Sequence, residues 1–330
     1  MTVKTLPALF KTLGLTALLL SFAIVPELWA VTPVPGTKPA SPWASGFDKA
    51  RQRAIRSRKD ILVVFTIRRL DAGSRHFEEH YLTQPLFAET LTKNFELVWL
   101  DSSENGGDQE DSPAYQLRSQ FEVISFPTVV LTNWLGQPYC YTGLRPGSLE
   151  NYLAHIEQLR QKNLARNQTL IKARASEGLR RAELLAASIP ELGQQRSAKF
   201  YADLMREILT LDPEQKCEST LQISRQLADF DFNRKMHELE KDLRWTEMAD
   251  LVNEYIASQK LTGAHRQAAL MDLLEVRRHQ EDLPRMIQTL EEIVKINPLN
   301  RHGQQASAIL SQISSGLKSL APLSNPPEAK

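Results

Sequence analysis

At 330 residues the chain is long enough for about two domains. Its apolar fraction of 42% and charged fraction of 24% suit a packed core and exclude global disorder. A formal charge of +1, with no basic run, leaves no electrostatic footprint for a nucleic-acid partner.

Residues 1–30 have the layout of a signal peptide. Lys4 and Lys11 give a positive start, an apolar run from Leu13 to Val25 ends at Pro26, and Leu28-Trp29-Ala30 closes on a small residue. The run is short of the roughly 20 residues of a bilayer span. An uncleaved N-terminal anchor is the other reading, and only that reading puts the protein on a membrane. Cleavage removes Lys4, Lys11 and Glu27 and leaves a formal charge of zero. Either way the body of the chain is expected to be exported, as a periplasmic or envelope-associated protein. Residues 31–46, with Pro33, Pro35, Pro39 and Pro42, predict a semi-extended linker.

Residues 47–166 predict an α/β domain. Helical composition over 47–59 leads into Ile61-Leu62-Val63-Val64-Phe65-Thr66, a β-branched and aromatic run suited to a strand buried on both faces. Helices are expected over 72–82 and 85–94, a second buried strand over 96–100, a polar loop over 102–113 and a short helix over 114–121. A strand opened by proline over 125–132, a turn with Gly136, a strand over 138–142 and a helix over 148–166 complete the pattern. Helices alternating with strands, then a closing hairpin, indicate a mixed central sheet covered on both faces. From 167 to 318 strand signals give way to apolar spacings of three and four. The sequence predicts an all-α domain of helical hairpins over 178–189, 197–211, 218–229, 233–243, 246–258, 264–279, 283–296 and 303–317. Tyr201–Pro213 and Met286–Pro298 resemble each other, each ending a helix at Asp-Pro or Asn-Pro. Their 85-residue separation is not a simple 34-residue array. Residues 319–330 predict a disordered tail.

Five pieces of the first domain resemble the thioredoxin-like superfamily, especially exported members with a helical extension. They are the Phe47 helix ending at Arg58-Lys59-Asp60, the strand Ile61–Thr66, the stretch Glu79–Phe87, the strand ending Trp99-Leu100-Asp101, and Phe121–Gly136 (FEVISFPTVVLTNWLG). The last is the most specific: it resembles the family's cis-proline, core strand and following turn. The resemblance implies a cis Phe126–Pro127 bond and a substrate-backbone groove beside Pro127. Counting back from Tyr81-Leu82, the family's CxxC slot falls on Asp71-Ala72-Gly73-Ser74, preceded by Leu70 in place of tryptophan. No cysteine lies anywhere from 1 to 139. Disulfide exchange needs a thiolate at the helix tip and a second thiol to release the mixed disulfide. Aspartate and serine supply neither, whereas an aspartate just before a helix is a good N-cap.

Three further patterns bear on chemistry. His76-Phe77-Glu78-Glu79-His80 fits the H-x-x-E-H pattern of inverted zinc peptidases, but the fold context differs and no distal helix offers an obvious third ligand. His76 and His80 are therefore weak metal candidates, and a solvated helix face accounts for them. Cys140 on the second hairpin strand and the distant Cys217 read first as free, buried thiols. The reading that follows is a non-catalytic envelope protein without a cofactor, binding an unidentified polypeptide in a groove built from Leu70, Asp71, Ser74, Phe126 and Pro127. The alternative is a divergent thiol-disulfide oxidoreductase or peroxidase-like enzyme using Cys140.

Overall fold

The structure is a computed structural model that describes residues 41–103 and 109–320, with side chains described to residue 315. The expected signal segment, most of the expected linker, the middle of the 102–113 loop and the end of the tail lie outside the described residues. No described helix is long and apolar enough to cross a membrane.

Five strands form one mixed sheet: β1 (Trp43–Ala44), β2 (Asp60–Thr66), β3 (Phe95–Asp101), β4 (Thr128–Thr132) and β5 (Pro138–Gly143), in the order β1-β3-β2-β4-β5. β3 pairs in parallel with β1 and β2, while β4 runs antiparallel to both β2 and β5. The alternation of side chains along a strand explains the continuous apolar run of β2. Leu62 and Val64 face one core with Leu97, Val129 and Leu131, while Ile61, Val63 and Phe65 face the other with Val98 and Val130. The first core is closed by α2 (Ala72–Phe77), a π turn (Glu78–Leu82), α3 (Pro85–Leu91) and the start of α5 (Leu149–Arg174). The second is closed by α1 (Phe47–Ser57) and α4 (Pro113–Gln120). A mixed sheet with helices on both faces, followed by a large helical part, is the architecture the sequence predicts.

Several local expectations need correction. Trp43 and Ala44, placed in the linker, form the edge strand β1, where Trp43 packs against Phe87 and Trp99. The single helix expected over 72–82 changes to π geometry at Glu78. β4 begins at Thr128 rather than 125, because Pro127 has no N–H for the ladder.

The helical part comprises α6 (Gly178–Ala186), α7 (Gln194–Leu211), α8 (Glu218–Lys241), α9 (Trp245–Ser258), α10 (Gly263–His279), α11 (Leu283–Ile296) and α12 (Arg301–Leu320). The helices expected over 218–229 and 233–243 are one: nothing in Ala228-Asp229-Phe230-Asp231-Phe232 breaks a helix. α12 carries on to Leu320, into the expected tail. The boundary expected between residues 166 and 167 lies inside α5. At about 1.5 Å per residue the 26 residues of α5 span about 39 Å. Its Tyr152, Leu153 and Ile156 belong to the first sheet core, while Ala173 belongs to the core of α6, α7 and the start of α8. α8 repeats the device, giving Ile223 and Leu227 to that core and Phe232 and Leu239 to the next.

The helical part docks on the sheet through α7. Phe200 packs on Phe121, with ring centroids 6.0 Å apart, and the Gln137 amide donates to the Phe200 carbonyl at 2.7 Å. α7 loses helical geometry at Tyr201, whose hydroxyl donates to the Pro138 carbonyl at 2.9 Å and accepts from Arg166 at 3.0 Å. Arg196 donates to the Glu122 carbonyl at 2.7 Å and lies over the Tyr141 ring, and Lys199 meets the Glu122 carboxylate at 3.0 Å.

Near this junction Asp60 accepts a hydrogen bond from the Tyr139 hydroxyl at 2.9 Å. Burial pushes the Asp60 carboxyl above its ordinary value, against the lowering effects of that hydrogen bond and of Arg160. A carboxyl raised in the folded state stabilises the fold while protonated, and that contribution is lost as pH rises from its unfolded value through its folded one. Asp60→Asn keeps an acceptor for Tyr139 and removes the charge. Its thermal midpoint should exceed that of wild type at neutral pH, with the difference shrinking in acid. A lower midpoint at neutral pH would show that the charged form is the stabilising one.

Candidate functional site

The site predicted beside Pro127 is assembled from the loop after β2 and the segment before β4. α2 starts where its sequence provides a cap: the Ser74 N–H donates to the Asp71 carboxylate at 2.5 Å, with Asp71 in an extended conformation. Ser74 is fully buried and its hydroxyl accepts from the Ile67 N–H at 3.1 Å. Asp71 and Ser74 are thus both engaged within the chain, and Ser74, expected in the groove, does not reach its surface. The Arg75 guanidinium donates to the Arg68 carbonyl at 3.0 Å and ties the far side of the same loop.

The Phe126–Pro127 peptide is cis and Pro127 is buried. Two glycines let backbone approach it. A Cβ on Gly73 would stand 3.3 Å from the Pro127 ring, and one on Gly143 would stand 2.8 Å from the Pro127 carbonyl oxygen. The helix tip and the proline loop are therefore in contact. The Thr128 hydroxyl donates to the Ser125 carbonyl at 2.6 Å and steadies the turn. On the two loops Leu70 is 76% exposed and Ile124 is 89% exposed. Phe126 is half-buried beneath the Arg118 guanidinium, 5.8 Å from its ring centroid. Of the slot helix, Gly73 is the residue that stands against the Pro127 ring. Ile124 was missed, because in sequence it is one apolar residue among several.

Neither cysteine is placed for thiolate chemistry. Cys140 sits on β5, partly covered by the first sheet core, and burial pushes its thiol up. Cys217 caps α8, where burial and the charges of Glu183 and Asp212 push its thiol up as well. Both are free. Less thiolate at neutral pH means slower nucleophilic attack. His76 and His80 are exposed on one side of the slot helix, ring centroids 4.3 Å apart. Among the described residues no three histidine, cysteine or acidic side chains gather as a metal site would require.

The cap has a measurable cost of removal. Asp71→Ala should lower stability by about 1 kcal/mol, while Asp71→Asn, which still accepts from Ser74, should lose much less. Equal losses in the two variants, measured by denaturant unfolding, would rule out the capping role.

No protein-family model matches the sequence, and no curated protein matches it. Among solved structures the chain is similar to disulfide oxidoreductases. One, described as a DsbH oxidoreductase, is 18% identical with a TM-score of 0.32, covering 36% of this chain and 82% of that one. Another, the disulphide isomerase from Xylella fastidiosa Temecula1, is 23% identical with a TM-score of 0.26, covering 33% of this chain and 87% of that one.

Proposed function

We propose that this is an exported, non-catalytic protein with a thioredoxin-like first domain that holds an extended polypeptide segment against the Pro127 loop in the cell envelope. The observation that carries the reading is the slot itself. Its two reactive positions hold Asp71 and Ser74, and both side chains are used inside the fold. A helix tip without thiols cannot form or resolve a mixed disulfide. The two loops expose Leu70 and Ile124, and Phe126 is half-buried next to the buried Pro127. Such apolar side chains suit those of an extended segment whose backbone supplies the hydrogen bonds. The helical part steadies the loop from behind, through the Arg196 and Lys199 contacts to Glu122.

The alternative, an oxidoreductase or peroxidase-like enzyme using Cys140, draws no support from a partly covered thiol whose ionisation is disfavoured. Two measurements on the full chain separate the readings. A reduced, alkylated model polypeptide should bind, and Leu70→Asp combined with Ile124→Asp should weaken binding about tenfold or more, the usual effect of losing apolar anchors. Insulin disulfides should stay intact beyond the uncatalysed rate. Unchanged binding in the double variant would remove the groove from the account. Insulin reduction abolished by Cys140→Ser would establish the alternative.

A further inference from the structure

Where β2 begins, a buried polar cluster joins four elements: β2, β5, α5 and α7. Asp60, the first residue of β2, accepts from the Tyr139 hydroxyl of β5 at 2.9 Å. Arg160, Asn163 and Arg166, spaced by three along α5, lie toward the same carboxyl. Arg166 donates to the Tyr201 hydroxyl of α7 at 3.0 Å, and that hydroxyl donates to the Pro138 carbonyl of β5 at 2.9 Å. At Tyr201 the backbone of α7 leaves helical geometry, with φ −127° and ψ 19°. The cluster is short of partners. Asn163 is 3% exposed, yet neither its amide oxygen nor its amide nitrogen completes a hydrogen bond among the described residues, and neither does the buried Nε of Arg166. A buried polar group left unpaired costs free energy and calls for an explanation.

We propose that Asp60 is the sensor of a pH-operated clamp, in which α5 and α7 hold the sheet more tightly when Asp60 carries a proton and more loosely when it is ionised. A carboxylate only accepts hydrogen bonds, whereas a carboxyl also donates one. The protonated form therefore supplies the donor that the Asn163 amide oxygen lacks, while its other oxygen still accepts from Tyr139. Ionisation withdraws that donor and leaves a charge in a site with little access to water.

Asp60 is faced by Tyr139 from β5 and by Arg160 and Arg166 from α5. Both guanidinium groups favour the ionised form, but Arg160 is shared with Glu157 at 2.8 Å and Arg166 with Tyr201. Burial outweighs them and pushes the Asp60 carboxyl above its ordinary value. Tyr139 keeps its proton throughout, because burial and Asp60 push its hydroxyl up as well. When α7 leaves Pro138, Arg166 loses its Tyr201 partner and the cluster opens to water, so the carboxyl returns toward its ordinary value. The closed state binds the proton more tightly than the open one. By linkage the clamp loosens as pH rises from the ordinary value through the raised one. The ratio of open to closed forms changes by at most about tenfold for each unit by which closure raises that value.

The test is amide hydrogen exchange of the full chain from about pH 4 to about pH 8, a range that brackets the carboxylate values. Rates are expressed as protection factors, so that the intrinsic pH dependence of exchange cancels. Protection in the second half of α5 and around Tyr201 of α7 should fall several-fold as pH rises, while Val63 at the centre of β2 stays constant. The Asp60 carboxyl signal, followed by NMR, should titrate over the same range. Asp60→Asn is neutral at every pH and offers both a donor and an acceptor, so it should keep the acid level of protection throughout. Tyr201→Phe cuts the link to α7: the α7 amides should then no longer follow pH, while those of α5 still do. Protection that is flat or rises with pH, a pH dependence that survives in Asp60→Asn, or an Asp60 titration outside the range of the protection change would overturn the proposal. α7 amides that still follow pH in Tyr201→Phe would remove Tyr201 from the clamp.

Discussion

A short relay of two side chains governs the end of the sheet where chemistry would be expected. The Asp71 carboxylate takes the Ser74 N–H, and the Ser74 hydroxyl takes the Ile67 N–H. The first bond fixes where α2 begins; the second pins the loop that leaves β2. Each satisfies a backbone donor that would otherwise be left over at a helix start or a strand end. With the tip held there, Gly73 can rest against the Pro127 ring. The same two bonds engage one carboxylate oxygen of Asp71 and the Ser74 hydroxyl.

The helical part is not a passenger on a tether. α5 and α8 each span two cores, so no boundary between packed units falls in a loop at these points. The α7 contacts concentrate on Glu122, four residues before Phe126, and on Gln137 and Pro138 at the turn between β4 and β5. Glu122 itself adopts a left-handed backbone, φ 53°, unusual for a residue with a side chain and held here by its two cationic partners. Strain of this kind persists only where the surroundings over-determine it. The Pro127 loop thus has rigid support on both sides, from the sheet and from α7.

Much of this was legible in the sequence, for reasons that are local. Ile61–Thr66 reads as a doubly buried strand because every side chain is apolar or β-branched, and it is one. Asp71 reads as a cap because three residues later an amide needs an acceptor. Met286–Pro298 ends its helix where Asn-Pro demands it. What escaped depends on partners distant in the chain. Ser74 is exposed or buried according to where Ile67 returns, and the dock of Phe200 on Phe121 joins segments 79 positions apart. β1 has two residues and is held by β3 alone, below the length at which alternation can be read. The π turn at Glu78 leaves the helical spacing almost intact, so periodicity passes over it.

Burial pushes both thiols above their ordinary values. The most direct measurement is native-state hydrogen exchange at the amides of Ile67 and Ser74. If the Asp71–Ser74 relay holds the helix tip, both should exchange as slowly as the amides of β2 and β4, and Asp71→Ala should speed Ser74 selectively. Exchange at both amides as fast as in the exposed loop residues around Ile124 would mean that the slot side chains are free, and the account of an internally consumed tip would fail.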